Sequence, residues 1–162
     1  IDSEPGRGTR ITIYLPCSDG PAELAETVAV DPQCAAGGGE KILVLEDNVN
    51  IQLMISRTLT KLGYIIVSAG YGRSALDLLD DNPDIAMLLC DISLPGNMDG
   101  LEFVDQALRK RPDIRYLFIS GNPRQAVAGR DGRVDISRIL NKPFRKRELS
   151  ERVRATLDTA AD

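Results

Sequence analysis

Four places in the chain carry side chains able to do chemistry, and each lies where an apolar run ends. Glu46-Asp47 follows Ile42-Leu43-Val44-Leu45, and Asp91 follows Ala86-Met87-Leu88-Leu89-Cys90. Ser120-Gly121 follows Leu117-Phe118-Ile119, and Lys142-Pro143-Phe144 follows Ile139-Leu140-Asn141. Brought to one place, three carboxylates resist ionising beside one another unless a cation sits among them. A hard divalent ion such as Mg²⁺, keeping some of its waters, answers that repulsion. Lysine supplies a second positive charge that can hold an anionic group. A metal, a lysine and a hydroxyl around one protruding carboxylate make a phosphoryl-transfer site. The carboxylate is then the nucleophile and its product an acyl phosphate. Each residue alone has a plainer reading. Glu46-Asp47 could be a solvated loop pair, Asp91 a helix cap and Lys142 a surface lysine. Their common placement after apolar runs decides against these.

The elements that must position them alternate in type. Residues 41–46 form a short apolar strand, as expected of one buried on both faces. Ile51, Ile55, Leu59 and Leu62 share one face of a helix over residues 49–62, which Gly63 closes. A strand over 64–68, a helix over 73–81 and a strand over 85–90 follow. A helix over 100–110 ends before Pro112. A strand over 115–120, an irregular stretch over 122–136, a strand over 138–141 and a helix over 145–157 complete the series. Five β/α repeats with apolar strands predict an α/β fold: a parallel sheet, doubly wound, with helices on both faces. The functional site of such a sheet lies at the carboxyl ends of its strands, near the switch in winding direction.

Composition narrows the chemistry. The 162 residues suffice for one domain and an appendage, and 43% hydrophobic with 27% charged residues is an ordinary globular balance. The absence of histidine excludes Ser-His-Asp and Cys-His nucleophiles, imidazole-ligated metals and a phosphohistidine carrier role. No tryptophan and few aromatics speak against base stacking, so no nucleic-acid partner is expected. No run approaches the length of a spanning helix, and Ile1-Asp2-Ser3-Glu4 does not read as a signal peptide, so no membrane contact is expected. Cys17, Cys34 and Cys90 are odd in number and widely spaced, which fits a reduced, cytoplasmic protein. Residues 1–40 hold seven acids against Arg7 and Arg10, and Gly37-Gly38-Gly39 marks a boundary. The basic residues Arg145, Lys146, Arg147, Arg152 and Arg154 read as a solvated helix face.

Taken in order, Leu45-Glu46-Asp47-Asn48, Cys90-Asp91-Ile92-Ser93-Leu94-Pro95-Gly96, Met98-Asp99-Gly100, Ile119-Ser120-Gly121 and Asn141-Lys142-Pro143-Phe144 resemble the receiver domain of two-component response regulators. The resemblance covers residues 41–160. It implies a flavodoxin-like (βα)5 sheet of strand order 2-1-3-4-5, with Asp91 taking a phosphoryl group from a phosphohistidine. It further implies that Glu46, Asp47, Asp91 and the backbone carbonyl of Ser93 hold Mg²⁺. Ser120 and Lys142 would contact the phosphoryl oxygens, Lys142-Pro143 would be cis, and Gly121 would leave the approach to Asp91 open. Ser93 and Asn122 match positions that tune phosphoryl lifetime in the family. The loop Pro95–Gly100 is one residue longer than the commonest form, as in receivers attached to sensor kinases. Ile139 stands where many members carry Tyr or Phe.

Two other classes share parts of this pattern. A flavodoxin-like flavin binder needs a hydroxyl-rich and amide-rich phosphate loop after the first strand, where two carboxylates stand here. A haloacid-dehalogenase-type phosphohydrolase needs an Asp two residues after its nucleophile, where Ser93 stands.

Gly6-x-Gly8-Thr9 reads as a glycine turn leading into a strand over 10–15. Residues 1–16 as a whole resemble the end of a histidine-kinase ATPase domain, its last glycine box and final strand. That resemblance implies the carboxyl-terminal piece of a hybrid sensor histidine kinase, with residues 17–40 a linker carrying a helical turn around 21–29. Its partner would be the phosphohistidine domain of the parent kinase or a histidine phosphotransfer protein. Cut from the rest of its sheet, the 10–15 strand is expected to be disordered or to pair with an exposed edge or another copy.

Overall fold

The computed structural model describes residues 1–14, 37–122 and 135–159. Two strands come first, β1 (Asp2–Glu4) and β2 (Gly8–Arg10). The series β3 (Lys41–Leu45), α1 (Val49–Lys61), β4 (Ile65–Ala69), α2 (Gly72–Asp81), β5 (Ile85–Asp91), α3 (Gly100–Lys110) and β6 (Arg115–Ser120) follows. A single 3-10 turn (Ile136–Arg138) leads into β7 (Ile139–Asn141), and α4 (Lys146–Asp158) ends the series. The irregular stretch expected over 122–136 and the helical turn expected around 21–29 lie largely or wholly outside the described residues, as do Cys17 and Cys34.

Strands β4-β3-β5-β6-β7 form one five-stranded sheet, parallel throughout. Counted along the chain within that sheet, the order is 2-1-3-4-5, as expected. Strand residues alternate between two cores, because successive side chains point to opposite faces. Leu43, Leu45, Leu88, Cys90 and Phe118 meet Ala75, Leu76 and Leu79 of α2 and Leu101, Phe103, Val104 and Ala107 of α3. Ile42, Val44, Met87, Leu89, Leu117 and Ile119 meet Ile55 and Leu59 of α1 and Leu149 and Val153 of α4. Each of the Val, Leu, Ile, Met and Phe side chains among these, removed from water, contributes about 1.5–3 kcal/mol. The sheet is therefore covered on both faces, and its winding reverses between β3 and β5.

Helix ends follow local chemistry. Asn48 caps α1 by accepting from the N–H groups of Asn50 and Ile51. Asp99 and Glu102 form a reciprocal capping box at the start of α3. Gly63 takes φ +95° after α1, the left-handed conformation that suits glycine there. Tyr64 belongs to that turn, its N–H donating to the Leu59 carbonyl at 3.2 Å, so the strand expected from 64 starts at Ile65. Arg138 likewise ends the 3-10 turn, whose first residues Asp135 caps, and β7 starts one residue later than expected.

Residues 37–40 are tied to the end of the sheet opposite the carboxyl ends of its strands. The Gly37 N–H donates to the Leu62 carbonyl at 2.7 Å. A Cβ at Gly37 would sit 2.8 Å from the Tyr64 ring, so the backbone can approach that ring only as glycine. Glu40 pairs with Arg154 of α4 at 2.6 Å, and Arg154 also reaches Asp158 at 2.7 Å. The hydrogen bond from Arg154 holds the Glu40 carboxyl below its ordinary range, against the opposing effect of burial. Arg152 donates to the carbonyls of Ser137 and Ile139. Two of the five bases assigned to a solvated face are thus structural.

The front segment corrects an expectation. Of the strand placed over 10–15, only Arg10 is in a strand among the described residues, and 11–14 carry none. Instead β1 pairs β2 antiparallel, Asp2 opposite Arg10, Ser3 opposite Thr9 and Glu4 opposite Gly8. Gly6 and Gly8 take φ +78° and +87°, and the Arg7 N–H donates to the Glu4 carbonyl at 3.0 Å. Both glycines turn the chain back onto its own first residues, so the pairing is local and ends at Arg10. Ile11, Ile13 and Tyr14 follow it, exposed.

Candidate functional site

The carboxyl ends of β3, β5, β6 and β7 meet beside the winding switch. Glu46 is the first residue after β3, Asp91 the last of β5, Ser120 the last of β6, and Lys142 the first after β7. Adjacent parallel strands bring them level: Leu45 pairs Cys90, Asp91 pairs Ile119, and Ser120 pairs Asn141. Residues 45 apart in sequence, or 96 apart for Glu46 and Lys142, thereby share one rim.

Lys142 is the bridge. Its Nζ donates to Asp91 Oδ2 and to Glu46 Oε2, each at 2.6 Å. Glu46 is 1% exposed and Asp91 5%, so two buried carboxylates share one ammonium. Each has a second brace. The Ser93 N–H donates to Asp91 Oδ1 at 3.0 Å, and the Asn48 N–H to Glu46 Oε1 at 3.2 Å. Burial pushes the Glu46 carboxyl above its ordinary range, against the downward pull of Lys142. Burial also works against the Lys142 charge, but the hydrogen bonds to Asp91 and Glu46 outweigh it and hold the ammonium above its ordinary value. Asp47 is exposed, and one oxygen from each of Glu46, Asp47 and Asp91 lies within 4.8 Å of the other two.

Ser120 is buried at the same rim, where its carbonyl accepts the Lys142 N–H at 2.8 Å. Its hydroxyl accepts from the Asn122 N–H at 3.1 Å. The Lys142-Pro143 bond is cis. A Cβ on Gly121 would meet no described atom within 4 Å. Ile139 is buried against the α2 and α3 core, and the nearby aromatic pair is Tyr116 and Phe118, with the Arg138 guanidinium over the Tyr116 ring. A groove of about 560 Å³ lined by Arg115, Tyr116, Arg138 and Arg152 lies at the opposite end of the strands and takes no part in the rim.

The donor set suits a hard cation. All three cluster ligands are carboxylate oxygens, and the chain has no imidazole. The neighbouring Cys90 thiol is fully buried, and burial pushes its ionisation well up, so it stays protonated. Three acids against one lysine leave a net negative rim that a small divalent ion matches.

Sequence reasoning placed Gly100 in a motif but gave it no role. A Cβ there would lie 2.0 Å from the Asp91 carbonyl oxygen and 2.8 Å from Cys90 Sγ. The start of α3 therefore presses directly on the backbone of Asp91, and the Gly100 N–H donates to the Ile92 carbonyl at 3.2 Å. A glycine inside a helix start, next to a capping aspartate, was the available signal. Gly100→Ala is expected to lower stability by about 2–3 kcal/mol, because the obstacle is backbone and cannot rotate aside. Urea unfolding checks this, and an unchanged midpoint would contradict the close approach.

A parallel, doubly wound sheet with a lysine-bridged acid rim at its switch point defines the class: a flavodoxin-like α/β module. Comparison with known proteins gives the family. Residues 42–154 match the response regulator receiver domain. The response regulator receiver protein CpdR of Brucella abortus is 31% identical over 75% of this chain and 99% of its own length. The sensor kinase CckA of the same organism is 28% identical over 97% of this chain, which spans 17% of that kinase's length. Among solved structures, a response regulator receiver protein from Sinorhizobium medicae superposes with a TM-score of 0.67 at 26% identity, over 75% of this chain and 97% of that one. The chain belongs to the response regulator receiver domain family of two-component signalling. That membership does not favour the flavin-binding or phosphohydrolase alternatives. Among the described residues no helix is long and apolar enough to cross a membrane.

Proposed function

We propose that Asp91 accepts a phosphoryl group from a phosphohistidine in a Mg²⁺-dependent step of a phosphorelay. One observation carries this reading: the buried Asp91 carboxylate, 2.6 Å from the Lys142 ammonium, with Glu46 and Asp47 oxygens within 4.8 Å. An oxygen of Asp91 attacks phosphorus, the P–N bond to imidazole breaks, and a P–O bond forms. The donor nitrogen leaves with the electron pair of the broken bond and takes up a proton. Glu46, Asp47, Asp91 and the Ser93 carbonyl would hold Mg²⁺, which supplies positive charge where phosphoryl charge develops. Lys142 and the Ser120 hydroxyl are placed to meet the other phosphoryl oxygens. A new dianion there competes with Asp91 and Glu46 for Lys142 and draws Ser120 inward, biasing a two-state arrangement of the rim loops.

We place the chain at the carboxyl-terminal end of a hybrid sensor histidine kinase, in the cytoplasm. Residues 1–16 would be the remnant of the ATPase domain, 17–40 the linker and 41–160 the receiver. The match to a sensor kinase over 97% of the chain supports this, because it runs beyond the receiver match into the front segment. The donor would be the parent kinase's phosphohistidine or that of a histidine phosphotransfer protein.

Intact mass spectrometry after acetyl phosphate treatment tests the chemistry. One added phosphoryl group is expected with Mg²⁺ and none after chelation. Uptake that ignores chelation would overturn the metal's role, and no uptake under either condition would overturn the acceptor reading.

A further inference from the structure

The Gln52 side chain belongs to none of the motifs that carry the proposed chemistry. It projects from the first turns of α1, half-buried, and its amide nitrogen makes two hydrogen bonds. Nε2 donates to the Glu46 carbonyl at 3.0 Å and to the Ala69 carbonyl at 3.1 Å. Those carbonyls sit at the carboxyl ends of two neighbouring strands, since Leu45 pairs Ala69 in register. One amide group thus straps the end of β4 to the turn that leaves β3. The Glu46 N–H donates to the same Ala69 carbonyl at 3.1 Å.

The Glu46 carbonyl belongs to the peptide plane joining Glu46 to Asp47. Holding that plane restrains ψ of Glu46 and φ of Asp47, the torsions on either side of it, and so limits the directions in which the two acids leave the backbone. Glu46 does not depend on this alone, because Lys142 and the Asn48 N–H already hold its carboxylate. Asp47 differs. It is exposed, and no hydrogen bond or ion pair among the described residues holds its carboxylate, yet that carboxylate completes the cluster. Its aim depends on its backbone, and Gln52 is the side chain that hydrogen-bonds the carbonyl of the preceding peptide unit.

We propose that Gln52 is a positioning residue for the divalent-cation site, acting through the Glu46–Asp47 peptide on Asp47. The proposal rests on the Mg²⁺ reading of that cluster. Side chains that orient ligands without touching the metal typically govern about 10-fold or more in affinity. Gln52→Met keeps the length and shape of the side chain and removes both donors.

The test is Mg²⁺ titration of the whole unphosphorylated chain, followed through backbone amide resonances near residues 46–48, with no phosphodonor present. Gln52→Met is expected to weaken Mg²⁺ binding about 10-fold. Gln52→Asn, which keeps the amide but shortens its reach, is expected to lose affinity in the same direction. In an Asp47→Asn background, Gln52→Met should change affinity by less than roughly twofold, because the residue it acts through is already gone. A purely structural role would predict the same loss in both backgrounds, and that result overturns the assignment. Equal affinity in the parent and Gln52→Met also overturns it while leaving the metal site standing. A parent chain that binds no Mg²⁺ overturns the metal reading and this proposal together. If Gln52→Met does not fold, the parent supplies the readout. Its Gln52 amide protons should be slow to exchange, and freely exchanging protons would refute the strap.

Discussion

Asp91→Asn is expected to abolish phosphoryl uptake from acetyl phosphate while the protein folds much as before. The amide nitrogen's lone pair is delocalised and the amide oxygen is uncharged, so neither replaces a carboxylate as nucleophile. The structural cost is small for a specific reason. Asp91 and Glu46 are like charges sharing one ammonium, and the charge on Asp91 is among the influences that raise the Glu46 carboxyl. The amide relieves that repulsion, keeps an acceptor for the Ser93 N–H and leaves Lys142 paired to Glu46. Stability should change by no more than about 1 kcal/mol. Intact mass reads the first result and the urea midpoint the second. Retained uptake would move the phosphorylation site elsewhere, and a collapsed midpoint would mean that Asp91 is structural.

Lys142→Met is expected to have the larger effect on stability. It strips the only ammonium hydrogen-bonded to the buried carboxylates of Glu46 and Asp91 among the described residues. Breaking a buried pair by removing one partner costs about 3–5 kcal/mol, and the 19% exposure of the lysine side chain reduces this to about 2–3 kcal/mol at neutral pH. The penalty should depend on pH with a definite sign. Burial already raises the Glu46 carboxyl above 4.5, and losing its cation raises it further. A carboxyl with a raised folded-state value keeps its proton in the native state after the unfolded chain has lost it. Stability is then lost as pH rises through that window. The deficit of Lys142→Met should therefore shrink toward pH 4.5 and be fully present above the raised Glu46 value. The parent's lysine contribution, by contrast, persists until pH passes its raised ammonium value, above 10.5. Urea titrations across pH check both signs. Added Mg²⁺ should offset part of the deficit by returning positive charge to the rim, and a deficit indifferent to pH and Mg²⁺ would contradict the bridge.

Much of the fold was legible because a sheet covered on both faces leaves little ambiguity. Apolar runs such as Met87-Leu88-Leu89-Cys90 can only be central strands, and the first charged residue after each run is the strand's exit. Hence Glu46, Asp91 and Lys142 could be placed at one rim without coordinates. Strand starts were less legible, since Tyr64 has a strand-like side chain and Arg138 adjoins an apolar run while their backbones close turns. The hairpin was misread for a related reason. Alternation of Ile11 and Ile13 suggests a strand, but Gly6 and Gly8 can take positive φ and return the chain onto Asp2–Glu4. Pattern alone showed no role for Gln52, and it placed Gly100 in a motif without showing what the glycine does. Their roles depend on an amide reaching a carbonyl 17 residues on, and on a missing methyl group beside the Asp91 carbonyl.

The seat of Gly37 on Tyr64, with Glu40 clasped by Arg154, gives the domain a fixed doorway. Strand β3 runs from that doorway toward Glu46, and its five residues span about 17 Å. Whatever is leashed to the front of the domain therefore joins it at the pole remote from Asp91. On the proposed hybrid-kinase reading, a donor domain that precedes this entry point in the same chain would have to reach Asp91 from the opposite pole. The rim and the entry point of the domain would then be separate levers, one for the chemistry and one for access to it.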